Sequence, residues 1–264
     1  MTDRLRGYGA ALSVTDELAE HAHAAERWGY SAVWLPGGQL ASLEPLLEIL
    51  RATTRVAVVP GIIPLDVHGV DAITALYAEA ERIGPGRLVA GVGGQVGIAV
   101  LRQAADALGA AVPRERTLLA ALGPRKLDLA RDRFGGAVTL LVTPDHTSWA
   151  KERLGGSTLV VEQMVVLDED PRAARAAARE PLGFLAAVPG YAATFSRMGF
   201  GEADVADLSD GLVDATFAWG GADRVAARLR EQAAEGADHV VVGPLGGPGE
   251  PKTLERLATE LALA

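Results

Sequence analysis

The sequence predicts a (β/α)8 barrel, an α/β fold in which eight parallel strands alternate with helices. Three observations predict it. The chain has 264 residues, close to the roughly 250 typical of this barrel. Short apolar runs alternate with stretches of helical period through its whole length. The joints between them are short, as expected for parallel strands linked by right-handed helical crossovers. An open doubly wound sheet is the rival, but the chain lacks the nucleotide fingerprint that often marks one. Residues 1–264 read as one domain.

Residues 6–12 are the first predicted strand, and Thr15-Asp16-Glu17 caps a helix with apolar positions Leu18, Ala22, Ala25 and Trp28. Gly29 stops that helix, and the second strand, 31–35, ends at Pro36-Gly37-Gly38. A helix over 42–52 places Leu43, Leu46, Leu47 and Leu50 on one face. The third strand, 55–59, leads into Pro60-Gly61-Ile62-Ile63-Pro64 and a helix over 70–83. The fourth, 88–92, is apolar on both faces, the mark of a strand buried between layers. A helix over 98–108 and a strand over 117–122 follow, and Gly123-Pro124 opens a helix to 133. Next come a strand over 137–142, a helix capped by Thr143-Pro144-Asp145, and a seventh strand within 161–167. Asp168-Glu169-Asp170-Pro171 caps an Ala- and Arg-rich helix, with acids at its positive end. Residues 182–218 break the rhythm and read as a helical insertion between the seventh and eighth strands. The pattern resumes with a helix over 222–235, a strand over 239–243 and a terminal helix over 251–263. At Gly29, Gly135 and Gly236 a helix is expected to end on a left-handed glycine.

Composition narrows the function. Hydrophobic residues make up 49% of the chain and aromatics only 5%, so Leu, Val, Ala and Ile must fill the core. The absence of cysteine removes disulfides, thiolate metal sites and a Cys nucleophile, and suits the cytoplasm. A net charge of −9 without basic clusters argues against nucleic acid and anionic membranes. No apolar run approaches the ~18 residues of a spanning helix, and the start lacks a signal-peptide core. The expectation is a soluble cytoplasmic protein acting on a small molecule.

Barrel active sites lie at the C-terminal strand ends. That rim comprises Ser13, residues 36–39 and 61–68, Gly93, Gly94, Gly123, Pro124, and residues 143–146, 168–170 and 244–247. Lys126, Lys151 and Lys252 all lie outside strands, so a Schiff-base lysine is absent from the rim. His21, His23, His68, His146 and His239 do not cluster with carboxylates as metal ligands would. His239 begins its strand, at the stability face. With no evident acid, nucleophile or metal set, the chemistry falls to a cofactor or there is none. His68 and His146, both in rim segments, are the catalytic candidates, against a reading as solvated loop histidines. Gly91, Gly93 and Gly94 either make a turn or admit a flat or anionic ligand to the backbone. Gly123-Pro124-Arg125-Lys126 combines bare backbone N–H groups at a helix start with two cations. It suits a phosphate, or is a helix start with solvated basic side chains.

Four segments carry a family resemblance. Residues 83–93, Ile-Gly-Pro-Gly-Arg-Leu-Val-Ala-Gly-Val-Gly, resemble the S-P-G-R segment of the bacterial luciferase-like superfamily. Residues 119–130, Leu-Ala-Ala-Leu-Gly-Pro-Arg-Lys-Leu-Asp-Leu-Ala, are similar to a run in its coenzyme F420-dependent branch. Residues 141–147, Leu-Val-Thr-Pro-Asp-His-Thr, and the closing stretch from Trp219-Gly220-Gly221 through Gly236-Ala237-Asp238-His239-Val240 agree with the same branch. The resemblance implies the barrel with its insertion after strand seven. It implies an isoalloxazine-type ring at the rim, backed where members often carry a non-prolyl cis peptide, here around Gly61-Ile62-Ile63. The implied cofactor contacts are Gly61, Ile62, Gly93, Gly94, Leu122, Gly123, Pro124, Arg125 and Thr143. The implied reaction is hydride transfer between coenzyme F420 and a small organic substrate, and FMN with oxygen activation is the alternative. A homodimer paired through the Leu-rich second or Ala-rich third helix is also expected. The loops after strands two and four are shorter than the family's, so a non-catalytic barrel that has lost its cofactor is the third reading.

Overall fold

The computed structural model describes residues 5–37, 40–188, 190–245 and 249–263. Gly38, Gln39, Gly246 and Gly247, part of the expected rim, lie outside the described residues. In order the elements are β1 (Gly7–Ala11), α1 (Leu18–Arg27), β2 (Ala32–Pro36), α2 (Glu44–Ala52), β3 (Ala57–Gly61), β4 (Ile63–Pro64), α3 (Val70–Ile83) and β5 (Ala90–Gly93). Then follow α4 (Ile98–Leu108), β6 (Thr117–Ala120), α5 (Pro124–Arg133), β7 (Gly136–Leu140), α6 (Pro144–Leu154) and β8 (Thr158–Val166). The remainder is α7 (Pro171–Ala186), α8 (Tyr191–Arg197), α9 (Glu202–Ala206), α10 (Asp210–Thr216), β9 (Ala218–Trp219), α11 (Ala222–Ala234), β10 (His239–Pro244) and α12 (Glu250–Glu260). No helix among the described residues is long and apolar enough to cross a membrane.

All strand pairs are parallel, in the order β3-β2-β1-β10-β8-β7-β6-β5-β4, with β9 beside β8. The two ends of that order, β3 and β4, are one stretch of chain parted only by Ile62. The sheet therefore closes on itself. Val58 N–H donates to the Arg87 carbonyl (2.9 Å) and Val89 N–H to the Val58 carbonyl (3.0 Å) across the closing seam. The expected barrel is present, with one stave split in two and a two-residue strand, β9, added outside the cycle. Strand alternation sends Trp34, Val59, Leu118, Val138, Val160 and Val241 inside the barrel. The opposite faces of the strands meet the helices in a second, larger core.

Several local expectations change. Helix α7 runs through Pro181 to Ala186 rather than stopping near 182, because Leu182 there is buried and Leu185 packs on the same cluster. Gly29 (φ +89°) and Gly236 (φ +106°) are left-handed, but Gly135 is not. Room is the need at that third joint. A Cβ on Gly135 would lie 2.8 Å from the Arg114 carbonyl oxygen, and one on Gly136 2.1 Å from that of Thr158. On α2, Leu46, Leu47 and Leu50 are buried in the chain's own core, with Leu43 packed against it and partly exposed.

The joint between α2 and β3 is gripped from two sides. Glu26 on α1 accepts from the N–H groups of Thr54 (2.9 Å), Arg55 (2.5 Å) and Val56 (3.1 Å). Buried Arg87 donates to the carbonyls of Leu50 (3.0 Å), Thr53 (2.7 Å) and Val56 (2.9 Å), and to the Thr53 hydroxyl. The arginine of the Gly-Pro-Gly-Arg segment thus satisfies helix-end carbonyls that would otherwise be orphaned.

A second buried network sets β8. Thr147 Oγ1–H donates to Gln232 Oε1 (2.6 Å), Gln232 Nε2–H to Gln163 Oε1 (3.1 Å) and to the Val142 carbonyl (3.1 Å), and Gln163 Nε2–H to the Thr216 carbonyl (2.9 Å). With Gln163 held outward by these bonds, its neighbour Glu162 must face the barrel interior. Gln232→Leu removes the hub and strands buried partners at about 1–3 kcal/mol each. We expect urea unfolding to show a loss of about 2–3 kcal/mol; a change under 0.5 kcal/mol would show the network to be dispensable.

Candidate active site at the barrel mouth

The floor of the interior is neutral. His239 is fully buried, and its Nε2 accepts from Trp34 Nε1–H at 3.1 Å, which requires that nitrogen to be unprotonated. Burial lowers its pKa to about 4. Two residues along β8 from Val160, Glu162 is the next inward side chain. Its Oε2 lies 3.7 Å from where a Cβ on Gly61 would be, and its Oε1 3.5 Å from the same point on Gly243. Glu162 is half-buried. Burial pushes its carboxyl up to about 7, and no hydrogen bond or cation among the described residues pulls it back. Tyr191 of α8 feels that carboxylate: burial first, then Glu162, raises its phenol.

The rim carries the expected cis peptide, at Gly61–Ile62. Its glycines divide into two groups. At Gly91 and Gly93 the chain itself takes the room: a Cβ would meet the Pro60 carbonyl oxygen at 2.3 Å and Ile62 Cδ1 at 2.9 Å respectively. Gly94 is filled likewise, by Asp66 Oδ1 at 2.2 Å. In front of Gly61 and Gly243 the nearest atoms stand at 3.3 Å and 3.5 Å, and at Gly123 the only one within 4 Å is Arg197 Nη2, at 4.0 Å. A Cβ on Gly61 would therefore press on Trp34 and one on Gly243 would be in ordinary contact, so of these three positions only Gly123 has room in front of it.

Gly123 is the N-cap of α5 and has no side-chain cap, so the first backbone N–H groups of the helix are available. Leu122 and Pro124 flank it, both half-buried, and Arg125 is exposed. Lys126 is half-buried, and burial lowers its ammonium pKa. Arg197, from α8, lies over the Trp149 ring at 5.2 Å. Thr143 caps α6, its Oγ1 accepting from His146 N–H at 3.3 Å.

The two histidines part company. His68 Nε2 lies 2.8 Å from the Leu40 carbonyl and joins the loops after β2 and β4. His146 is buried against Trp149, with ring centroids 4.9 Å apart. Burial, then Arg197, lowers its pKa to about 4 against a weaker pull from the Leu122 carbonyl. It is neutral at physiological pH and no acid there, and its Nε2 is a buried atom without a partner among the described residues. Ser13, expected on the rim, is engaged by buried Glu250, which accepts from its N–H (2.9 Å) and its hydroxyl (2.8 Å). No group of metal-ligating side chains stands together among the described residues. A pocket of about 320 Å³ lies outside the barrel beside Asp214, Trp219, Arg224 and Arg228. Arg175 and Arg224 there lie against the Trp219 ring while Asp214 accepts from Trp219 and Arg175, a set of groups that satisfy one another.

Sequence reasoning missed Glu162, Tyr191 and Arg197. The first sits in an apolar run, and the others come from the irregular segment.

Solved structures share this architecture end to end. A coenzyme F420-dependent tetrahydromethanopterin reductase from Methanopyrus kandleri superimposes with a TM-score of 0.78 at 18% identity, covering 98% of this chain and 99% of that one. The chain has the fold of these oxidoreductases. An F420-dependent secondary alcohol dehydrogenase, seen with an F420–acetone adduct, gives 0.78 at 14% identity, covering 98% of this chain and 99% of that one. The FMN-bound oxygenating constituent of 3,6-diketocamphane monooxygenase from Pseudomonas putida gives 0.63 at 15%, covering 98% of each chain. No protein-family model and no curated protein matches the sequence.

Proposed function

We propose that this protein is an oxidoreductase that holds coenzyme F420 in the barrel mouth and exchanges a hydride with a small organic substrate. When bound, the deazaflavin supplies or accepts the hydride at C5. The observation that carries the reading is the anion-binding end of the mouth. At the uncapped start of α5, a Cβ on Gly123 would have only Arg197 Nη2 within 4 Å, at 4.0 Å, and Lys126 lies in the first turn of the same helix. A phosphate there would accept from helix N–H groups and from cations. A flat ring would lie against Ile62, at the cis peptide bond. Gly93 and Gly94 contribute by letting that segment pack, not by touching the ring. The two F420-dependent neighbours favour the deazaflavin over FMN, each with a TM-score of 0.78 against 0.63.

Titration with F420 and with FMN tests this. Micromolar or tighter F420 binding is expected, and purification with a yellow flavin would move the protein to the FMN reading. Binding of neither would favour the non-catalytic barrel. Arg197→Ala should weaken F420 about tenfold or more, since a hydrogen bond to a charged group is worth about 1.5–3 kcal/mol. Arg125→Ala, at an exposed position, should do less; equal affinity in wild type and Arg197→Ala would take Arg197 out of the site.

A further inference from the structure

We propose that the pocket outside the barrel, between β9 and α11, is a second binding site, one that takes a small organic anion on Arg224 and Arg228. The anion's head is a carboxylate or a phosphate monoester. The pocket shares no lining residue with the barrel mouth, so the proposal does not depend on the cofactor reading. Its volume of about 320 Å³ lies at the lower end of the roughly 300–1,000 Å³ of small-molecule sites. Phe217 and Ala218 give it an apolar side. Ala227, exposed between the two arginines on α11, contributes only a methyl group to the space between them.

The charges around the pocket decide what it takes. Asp214 is already answered: Arg175 donates to both its oxygens (2.9 and 2.6 Å) and Trp219 Nε1–H to one of them (2.8 Å). Glu231 pairs with Arg228 Nε at 3.1 Å. Asp223 and Glu169 turn to the start of α11, where their oxygens lie 2.7 and 3.0 Å from the place of a Cβ on Gly221. Arg224 is left over. Its guanidinium carbon lies 4.2 Å from the centroid of the Trp219 ring, and it makes no hydrogen bond or ion pair among the described residues. Toward Asp214 it exerts only an attraction beyond ion-pair distance. Arg228 gives one further N–H to the Ala215 carbonyl (3.2 Å) and keeps the rest of its fork. The two arginines stand one turn apart on α11, a like-charge spacing that weakens a helix and that an anion between them would relieve. A planar fork matches the paired oxygens of a carboxylate or phosphate, and the ring contact positions the Arg224 fork before a ligand arrives. The site offers binding, not catalysis: its lining has no histidine or hydroxyl, and both its acids are paired.

Calorimetric titration of the full chain with benzoate, phenyl phosphate and inorganic phosphate tests this, with benzylamine as a cationic control. Benzoate or phenyl phosphate should bind saturably and more tightly than inorganic phosphate, and benzylamine should not bind. The tighter of the first two identifies the oxyanion. The Arg224 side chain is exposed, so Arg224→Ala should fold as the wild type does and weaken binding about tenfold or more. Arg224→Lys should recover only part of the loss, since it keeps the charge without the fork. Arg172→Ala, at an exposed position on α7, should leave the affinity unchanged. With ligand bound, hydrogen exchange should slow across residues 214–231. Slowing confined to residues 122–126 and 197 would put the anion at the barrel mouth and overturn the proposal. Equal affinity in the wild type and Arg224→Ala, or no saturation at millimolar ligand, would overturn it as well. Inorganic phosphate binding as tightly as phenyl phosphate would overturn the organic part of the assignment.

Discussion

Replacing Arg87 by Met is expected to destabilise the fold by about 3–5 kcal/mol, a large share of the 5–15 kcal/mol that holds a typical protein together. The guanidinium serves the carbonyls of Leu50, Thr53 and Val56 and the Thr53 hydroxyl in one buried plane. Met fills the volume but donates nothing, and each orphaned buried acceptor costs about 1–3 kcal/mol. Lys should recover only part of the loss, because a single ammonium cannot span three carbonyls as a planar fork does. Urea midpoints followed by circular dichroism measure this, and a loss below 1 kcal/mol for Arg87→Met would contradict it. The opposite grip adds a pH signature. Burial raises the Glu26 pKa, but the N–H groups of Arg55, Thr54 and Val56 outweigh it, and the folded value lies below the ordinary one. A depressed folded pKa means stability present above the unfolded value of about 4.3, and lost as pH falls through the folded value. In Glu26→Gln that acid-side loss should shrink, on top of a lower stability at neutral pH.

Gly91→Ala is expected to damage stability and ligand binding together. The added methyl would sit 2.3 Å from the Pro60 carbonyl oxygen and 3.4 Å from Ile62 Cγ2, so backbone must move. Overpacking of this kind costs about 1–3 kcal/mol, or roughly 3–10 °C in melting temperature for a chain of this size. The part that moves is the 60–62 segment, which borders the proposed ring site, so F420 affinity should fall as well. Gly156→Ala, with nothing within 4 Å, is the control and should change stability by under about 0.5 kcal/mol. Equal melting temperatures for the two variants would show that the closing stave tolerates displacement at this point.

Much of the scaffold was legible because the chain marks its own joints. Helix α3 begins and ends where periodicity and Gly84 place it, and α5 opens at Gly123-Pro124 as the helix-start chemistry requires. The barrel's mouth was less legible, for physical reasons. On β8 both faces are covered, so alternation does not say which of Glu162 and Gln163 points inward; distant Gln232 and Thr147 decide it. Gly91 and Gly93 looked like places cleared for a ligand, but nothing local reveals that Pro60 and Ile62 occupy them. Arg87 stood out only as part of a motif, and its work is done on a joint more than thirty residues earlier in the chain. Tyr191 and Arg197 lie in α8, where short helices have no period long enough to aim a side chain.

The helices α7, α8 and α10 bury Ala178, Leu182, Phe195, Leu212 and Val213 chiefly among themselves, above β7 and β8. This cover over β7 and β8 is thus cohesive in its own right, while the barrel wall is secured by separate contacts such as the Arg87 grip. Exchanging side chains on the underside of that cover could retune which molecule is admitted without loosening the wall.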